Sequence, residues 1–162
     1  MGQTTCVRLL TRSPDETAAM AAAFAGGCRP NDVVGLEGIL GAGKTCFVKG
    51  LARGLGVADL ARVVSPTFVL LRRYEGRLRL NHFDAYRLGG AAEMEEIGCA
   101  ETFEDGGVSV VEWADRVAEC LPARRLLLRI EVVGPTEREF RLVADGPESR
   151  ARLEEFRRLL VA

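Results

Sequence analysis

The chain has 162 residues, 48% hydrophobic and 28% charged, with a net charge of −1 and a pI near 6.0. That size suits one domain spanning residues 1–162, and the balanced charge speaks against a stand-alone nucleic-acid binder held by a basic face. No apolar run approaches the roughly 20 residues of a membrane-spanning helix. The five cysteines, odd in number and never spaced C-x-x-C, read as free thiols of a cytoplasmic protein.

In chain order, TTCVRLL (4–10) reads as a strand, preceded by no secretory signal pattern. Ser13, Pro14 and Glu16 then form a capping-box start for a helix to about Phe24, ended by Gly26-Gly27. NDVVGLE (31–37) is a short apolar strand of the buried kind. A glycine-rich loop follows, then a helix from Lys44 to about Leu55, closed by Gly54 or Gly56. SPTFVLLRRY (65–74) and RLRLNHFDAY (77–86) read as a hairpin turning tightly at Glu75-Gly76. AAEMEEIG (91–98) fits a short acidic helix and VSVVEW (108–113) a buried strand. LLLRIEVV (126–133) and EFRLVA (139–144) form a second hairpin across GPTE, and a last helix runs through ESRARLEEFRRLL. The sum is an α/β fold of the P-loop NTPase-like kind, a mixed sheet flanked by helices.

The loop between the second strand and second helix, GILGAGKT (38–45), fills the pattern G-x-x-x-x-G-K-[ST]. Gly41 and Gly43 let the backbone curl so that successive N–H groups face phosphate oxygens, reinforced by the positive end of the helix. The expected nucleotide-binding set is Gly38, Gly41, Ala42, Gly43, Lys44, Thr45 and Cys46. Lys44 is one of only two lysines beside twenty arginines. A compact ammonium on a thin stem fits inside an amide-lined phosphate cradle where a planar guanidinium does not. The Thr45 hydroxyl is the oxygen ligand that Mg²⁺ requires.

Hydrolysis also needs a carboxylate at the metal and a group that orients water. Two strand ends offer acids, Asp84 in RLRLNHFDAYR and Glu112 in VSVVEW, and strand carboxyl ends face the ligand crevice of open α/β sheets. Thr45, Asp84 and Glu112 form the expected metal set, and Asp84 and Glu112 the catalytic pair. His82, the single histidine, shares a strand face with Asp84 and fits either a site contact or a packed or partner-facing role. Trp113, the single tryptophan, reads as a packing or contact residue.

Taken together, LEGILGAGKTCFVKGLARGLG, SPTF, HFDAYR and VEWADR, in that order, resemble the TsaE (YjeE) family of small P-loop ATPases in bacterial tRNA threonylcarbamoyladenosine synthesis. The resemblance covers roughly residues 13 to 121. It implies ATP and Mg²⁺ as ligands and a TsaB–TsaD pair as partner, with tRNA reached indirectly through that complex. It also implies that Asp84 takes a metal-associated role, that Glu112 lies near the terminal phosphate and attacking water, and that SPTF is a switch-like segment with Thr67 facing the nucleotide. One departure is Ile39, where the family usually carries aspartate after the first glycine. It bears on any polar role of that side chain in hydrolysis or partner contact.

Two other functions use parts of the same pattern. One is a nucleotide-gated interaction protein with little turnover, which Ile39 would suit. The other is a small-molecule kinase with Asp84 as base, against which stands the lack of an arginine-rich lid segment. No N-K-x-D stretch is present to read guanine, so GTPase activity is not expected.

Overall fold

The computed structural model describes residues 5–39 and 41–161. Its strands are β1 (Thr5–Thr11), β2 (Val33–Glu37), β3 (Leu71–Tyr74), β4 (Leu80–Asp84), β5 (Val108–Glu112), β6 (Leu126–Val132) and β7 (Arg138–Ala144). Its helices are α1 (Pro14–Gly26), α2 (Lys44–Gly54), α3 (Ala91–Glu96), α4 (Cys99–Phe103) and α5 (Pro147–Leu160), with 3-10 segments at Leu60–Arg62 and Ala114–Cys120. One seven-stranded sheet runs β1-β7-β6-β2-β5-β4-β3. The central four, β6, β2, β5 and β4, are mutually parallel, and the pairs at both ends are antiparallel.

Strand alternation divides the core between the two faces. Val34, Leu36, Val110, Leu126 and Leu128 point to the side covered by α1, α2 and α5, where Phe24 stacks on Phe156 with ring centres 4.1 Å apart. Val33, Phe83, Val111, Leu127 and Val143 point to the other side, packing on Met94 of α3, Phe103 of α4, and Ala114 and Val117. Helices α1 and α2 approach closely because Gly50 has no side chain; a Cβ there would lie 2.5 Å from the Ala18 carbonyl oxygen. This contact fixes α2, and with it the loop at its N-terminus.

Most expected elements lie where the pattern puts them, and three details differ. Ser13 caps α1 by accepting from the Glu16 N–H, yet the Glu16 carboxylate returns to the Arg12 N–H rather than to Ser13. The β3–β4 hairpin is not tight: Tyr74 pairs with Leu80, and residues 75–79 form the connection. That connection docks on the end of α2, where the Arg77 N–H donates to the Leu55 carbonyl at 2.6 Å. Residues 65–70 are not strand; Leu70 donates to the Pro66 carbonyl and stands at φ 69°, turning the chain before β3. The short helix α4 lacks any sequence signal of its own. Thr4, the first residue of the expected β1, lies outside the described residues.

Candidate active site

Because β2, β4 and β5 are parallel neighbours, their carboxyl ends open on one edge of the sheet. Asp84 and Glu112 close their strands as directly opposed partners, and Leu36 of β2 is opposite Glu112 on its other side. The glycine loop leaves β2 beside them. The resulting cleft has a volume of about 420 Å³. One wall is Gly41, Gly43, Lys44, Thr45 and Cys46; the other is Ser65, Thr67, Asp84, Tyr86, Glu112 and Trp113.

Gly41 (φ 80°) and Gly43 (φ 107°) both take left-handed backbone, and space beside each is open. Any Cβ there would be strained by the backbone alone. Lys44 is 5% exposed and donates to the Gly38 and Ile39 carbonyls at 2.6 and 2.8 Å. Burial holds its pKa below the ordinary lysine value, opposed by the nearby carboxylates of Glu112, Asp84 and Asp115. Gly38 thus serves through its carbonyl. Ala42 is wholly buried and gives its N–H to the Ile39 carbonyl, so neither its side chain nor its amide faces the cleft. Ile39 points outward, 67% exposed.

Both acids are buried, Asp84 at 2% and Glu112 at 3% exposure, and their oxygens are individually engaged. Asp84 Oδ2 accepts from the Ser65 hydroxyl at 2.5 Å and the Thr67 hydroxyl at 2.9 Å, while Oδ1 accepts from the Tyr86 N–H at 2.9 Å. The SPTF segment is therefore tied to the end of β4. Glu112 Oε1 lies 3.4 Å from the Thr45 hydroxyl, and Oε2 lies 2.5 Å from His82 Nε2. Among the described residues no group of three or more His, Cys, Asp or Glu side chains is arranged to hold a metal ion by itself.

The structure brings Gly41, Gly43, Lys44, Thr45, Cys46, Thr67, Asp84 and Glu112 to one cleft. Sequence reasoning missed Ser65 as a partner of Asp84, although it stands two residues before Thr67 in the same segment. It also missed Arg138, which donates to the Ala42 and Gly134 carbonyls and ties the glycine loop to the β6–β7 connection. An arginine opening a strand carries no signal of that contact. Beside the main cleft, sharing Gly43 and Cys46 with it, is a recess of about 100 Å³ lined by Pro14, Thr17, Pro135, Thr136 and Arg138.

Comparison with known proteins gives this geometry its context. The family model described as "Threonylcarbamoyl adenosine biosynthesis protein TsaE" matches residues 11–140. The chain belongs to the TsaE family. It is 44% identical to the tRNA threonylcarbamoyladenosine biosynthesis protein TsaE of Bacillus subtilis over 149 residues, covering 91% of this chain and 92% of that one. It is 42% identical to the protein of the same name from Treponema pallidum over 133 residues, 82% of this chain and 97% of that one. A crystal structure of Bacillus subtilis YdiB superposes with a TM-score of 0.83 at 37% identity, covering 98% of each chain. As a TsaE-family member, the chain has a P-loop NTPase-like α/β fold. Among the described residues no helix is long and apolar enough to cross a membrane.

Proposed function

We propose that this TsaE-family chain is a Mg²⁺-dependent ATPase that assists a TsaB–TsaD pair in forming threonylcarbamoyladenosine on tRNA. One observation carries the reading: Lys44, Thr45, Asp84 and Glu112 converge on a single cleft behind two left-handed glycines. Family membership supports the link to tRNA modification.

The residues present fit a magnesium ion. A hydroxyl and two separate carboxylates are too few to hold a cation alone, and Mg²⁺ retains waters and takes its remaining ligands from substrate phosphates. When bound, the ion neutralises charge on the phosphoryl oxygens as the terminal P–O bond breaks. Thr45 would give its hydroxyl oxygen to the ion, and Asp84, fixed by three donors, would orient the water around it. Lys44 exchanges the Gly38 and Ile39 carbonyls for phosphate oxygens. Glu112 Oε1 accepts a hydrogen bond from the attacking water and aims it in line. The recess between Pro14 and Pro135 flanks the phosphate loop, with Cys46 at the junction, and takes the base in this scheme.

No arginine is among the described residues lining the cleft. The isolated protein should therefore turn over slowly, because a cationic group supplied in trans is worth about 10³–10⁵ in rate. The test is phosphate release from ATP and GTP in parallel, with and without TsaB–TsaD. The reading predicts adenine preference and acceleration by the pair, and an unchanged rate with saturating partners counts against it. A second reading, nucleotide-gated interaction with little turnover, is favoured by two exposed apolar side chains, Phe68 at 80% and Ile39 at 67% exposure. Tight ATP uptake without phosphate release, even with partners, would select it.

A further inference from the structure

His82 is the single histidine of the chain and is wholly buried in β4. Its β5 partner is Val110, so Glu112 is its diagonal neighbour on the same face, two residues further along. Nε2 lies 2.5 Å from Glu112 Oε2, whereas Nδ1 is buried with no partner. A carboxylate can only accept, so the ring proton belongs on Nε2. The contact is thus a directed hydrogen bond from an Nε2–H ring to one chosen carboxylate oxygen.

We propose that His82 is a positioning residue that acts through Glu112: by holding Oε2 inside the sheet, it leaves Oε1 as the one oxygen presented to Thr45 and the cleft. This rests on the ATPase reading above and assigns His82 a task within it. A carboxylate free to rotate would divide its time between orientations, and only one of them faces Thr45. Neither oxygen is exposed enough for solvent to fix that choice, because Glu112 is 3% exposed. Partners of this kind, standing behind a group that works at a metal, typically matter about 10–100-fold.

The test uses the full chain with His82→Leu, which removes the donor, and His82→Gln, whose amide N–H can restore it. Mg²⁺-ATP turnover is measured with partners present, alongside nucleotide binding and nitrogen NMR of the ring. His82→Leu should lower kcat by about 10–100-fold with KM and nucleotide affinity unchanged, and His82→Gln should recover most of that loss. The double variant with Glu112→Ala should be no slower than Glu112→Ala alone. With one histidine in the chain the NMR signals are unambiguous: Nε2 protonated, and the Nε2–H resonance moving in Glu112→Gln. Wild-type kcat in His82→Leu, or a folded His82→Gln as slow as His82→Leu, overturns the assignment. So does a ring bare at Nε2, or an Nε2–H signal indifferent to Glu112→Gln, even if a variant fails to fold. Failure of the wild-type protein to take up Mg²⁺-ATP would instead overturn the nucleotide reading, with the NMR result still deciding the His82 contact.

Discussion

The Lys44 ammonium lies 4.0 Å from the centre of the Trp113 ring. Trp113 follows Glu112 directly and stands in left-handed backbone, φ 60°, which turns the indole back over the glycine loop instead of continuing β5. Its ring also lies 5.0 Å from Tyr86, and the Arg116 guanidinium sits 5.7 Å from it. A cation over an indole face is an electrostatic contact that depends on where the cation is. Moving Lys44 onto a phosphate must therefore change the surroundings of the only tryptophan. Mg²⁺-ADP or Mg²⁺-ATP should alter Trp113 emission saturably, and Lys44→Ala should change the starting intensity. A flat titration, alongside dialysis that registers uptake, would mean that the ammonium does not shift on binding.

Lys44 and Glu112 should separate binding from chemistry. On the ATPase reading, Lys44→Ala removes charge-assisted hydrogen bonds to phosphate, each worth about 1.5–3 kcal/mol. Nucleotide affinity should fall roughly 10- to 100-fold, and turnover with it. Glu112→Ala leaves the glycine loop and Lys44 in place, so binding should persist while hydrolysis drops by about 10²–10⁴. Calorimetric titration and phosphate release on the two variants check both statements. Full activity in Glu112→Ala would remove that residue from the chemistry.

Why are these groups legible in the sequence? GILGAGKT constrains the backbone so tightly that residue type and conformation coincide; Gly41 and Gly43 take the left-handed angles that only glycine adopts freely. Asp84 and Glu112 end strands, and strand ends in parallel sheets converge by topology. Long-range hydrogen bonds leave no such trace. The Ser65–Asp84 contact spans 19 positions, the Thr45–Glu112 contact 67 and the Arg138–Ala42 contact 96. The β3–β4 turn misled for a related reason. Glu75-Gly76 has the composition of a tight turn, but docking on the end of α2 holds the connection open.

Asp84 acts as a latch for the preceding segment. With Ser65 and Thr67 both donating to Oδ2, residues 64–70 are pinned to β4 although Phe68 and Val69 are 80% and 52% exposed. Asp84→Ala deletes the shared acceptor. Two consequences should appear together: faster limited proteolysis within 64–70, and a higher Mg²⁺ concentration for half-maximal ATP turnover. Thr67→Val, which leaves the Ser65 bond, should show the proteolytic effect only weakly. Unchanged proteolysis in Asp84→Ala would mean that the residue-84 N–H bond to the Leu70 carbonyl and the Arg87 contact with the Phe68 ring hold the segment without the latch.

Cys46 offers a direct test of where the nucleotide lies. It follows Thr45, borders both the main cleft and the smaller recess, and directs its thiol toward the Pro14 carbonyl at 3.4 Å. Burial pushes the Cys46 thiol above the ordinary cysteine value, opposed by the nearby Lys49 charge. Only the thiolate reacts, so a raised pKa means a smaller reactive fraction at neutral pH, and alkylation should keep accelerating as pH rises past the range where an ordinary thiol levels off. Cys6 is exposed and would react first, so the experiment belongs in a Cys6→Ser background. Cys28 is buried, with its thiol pushed up to about 12, and should stay silent. Saturating Mg²⁺-ADP should protect Cys46 from iodoacetamide, with inorganic phosphate protecting less because it fills the loop and leaves the recess open. Peptide mass analysis of the modified site reads the result. Equal protection by phosphate and by the whole nucleotide would move the base away from the recess between Pro14 and Pro135.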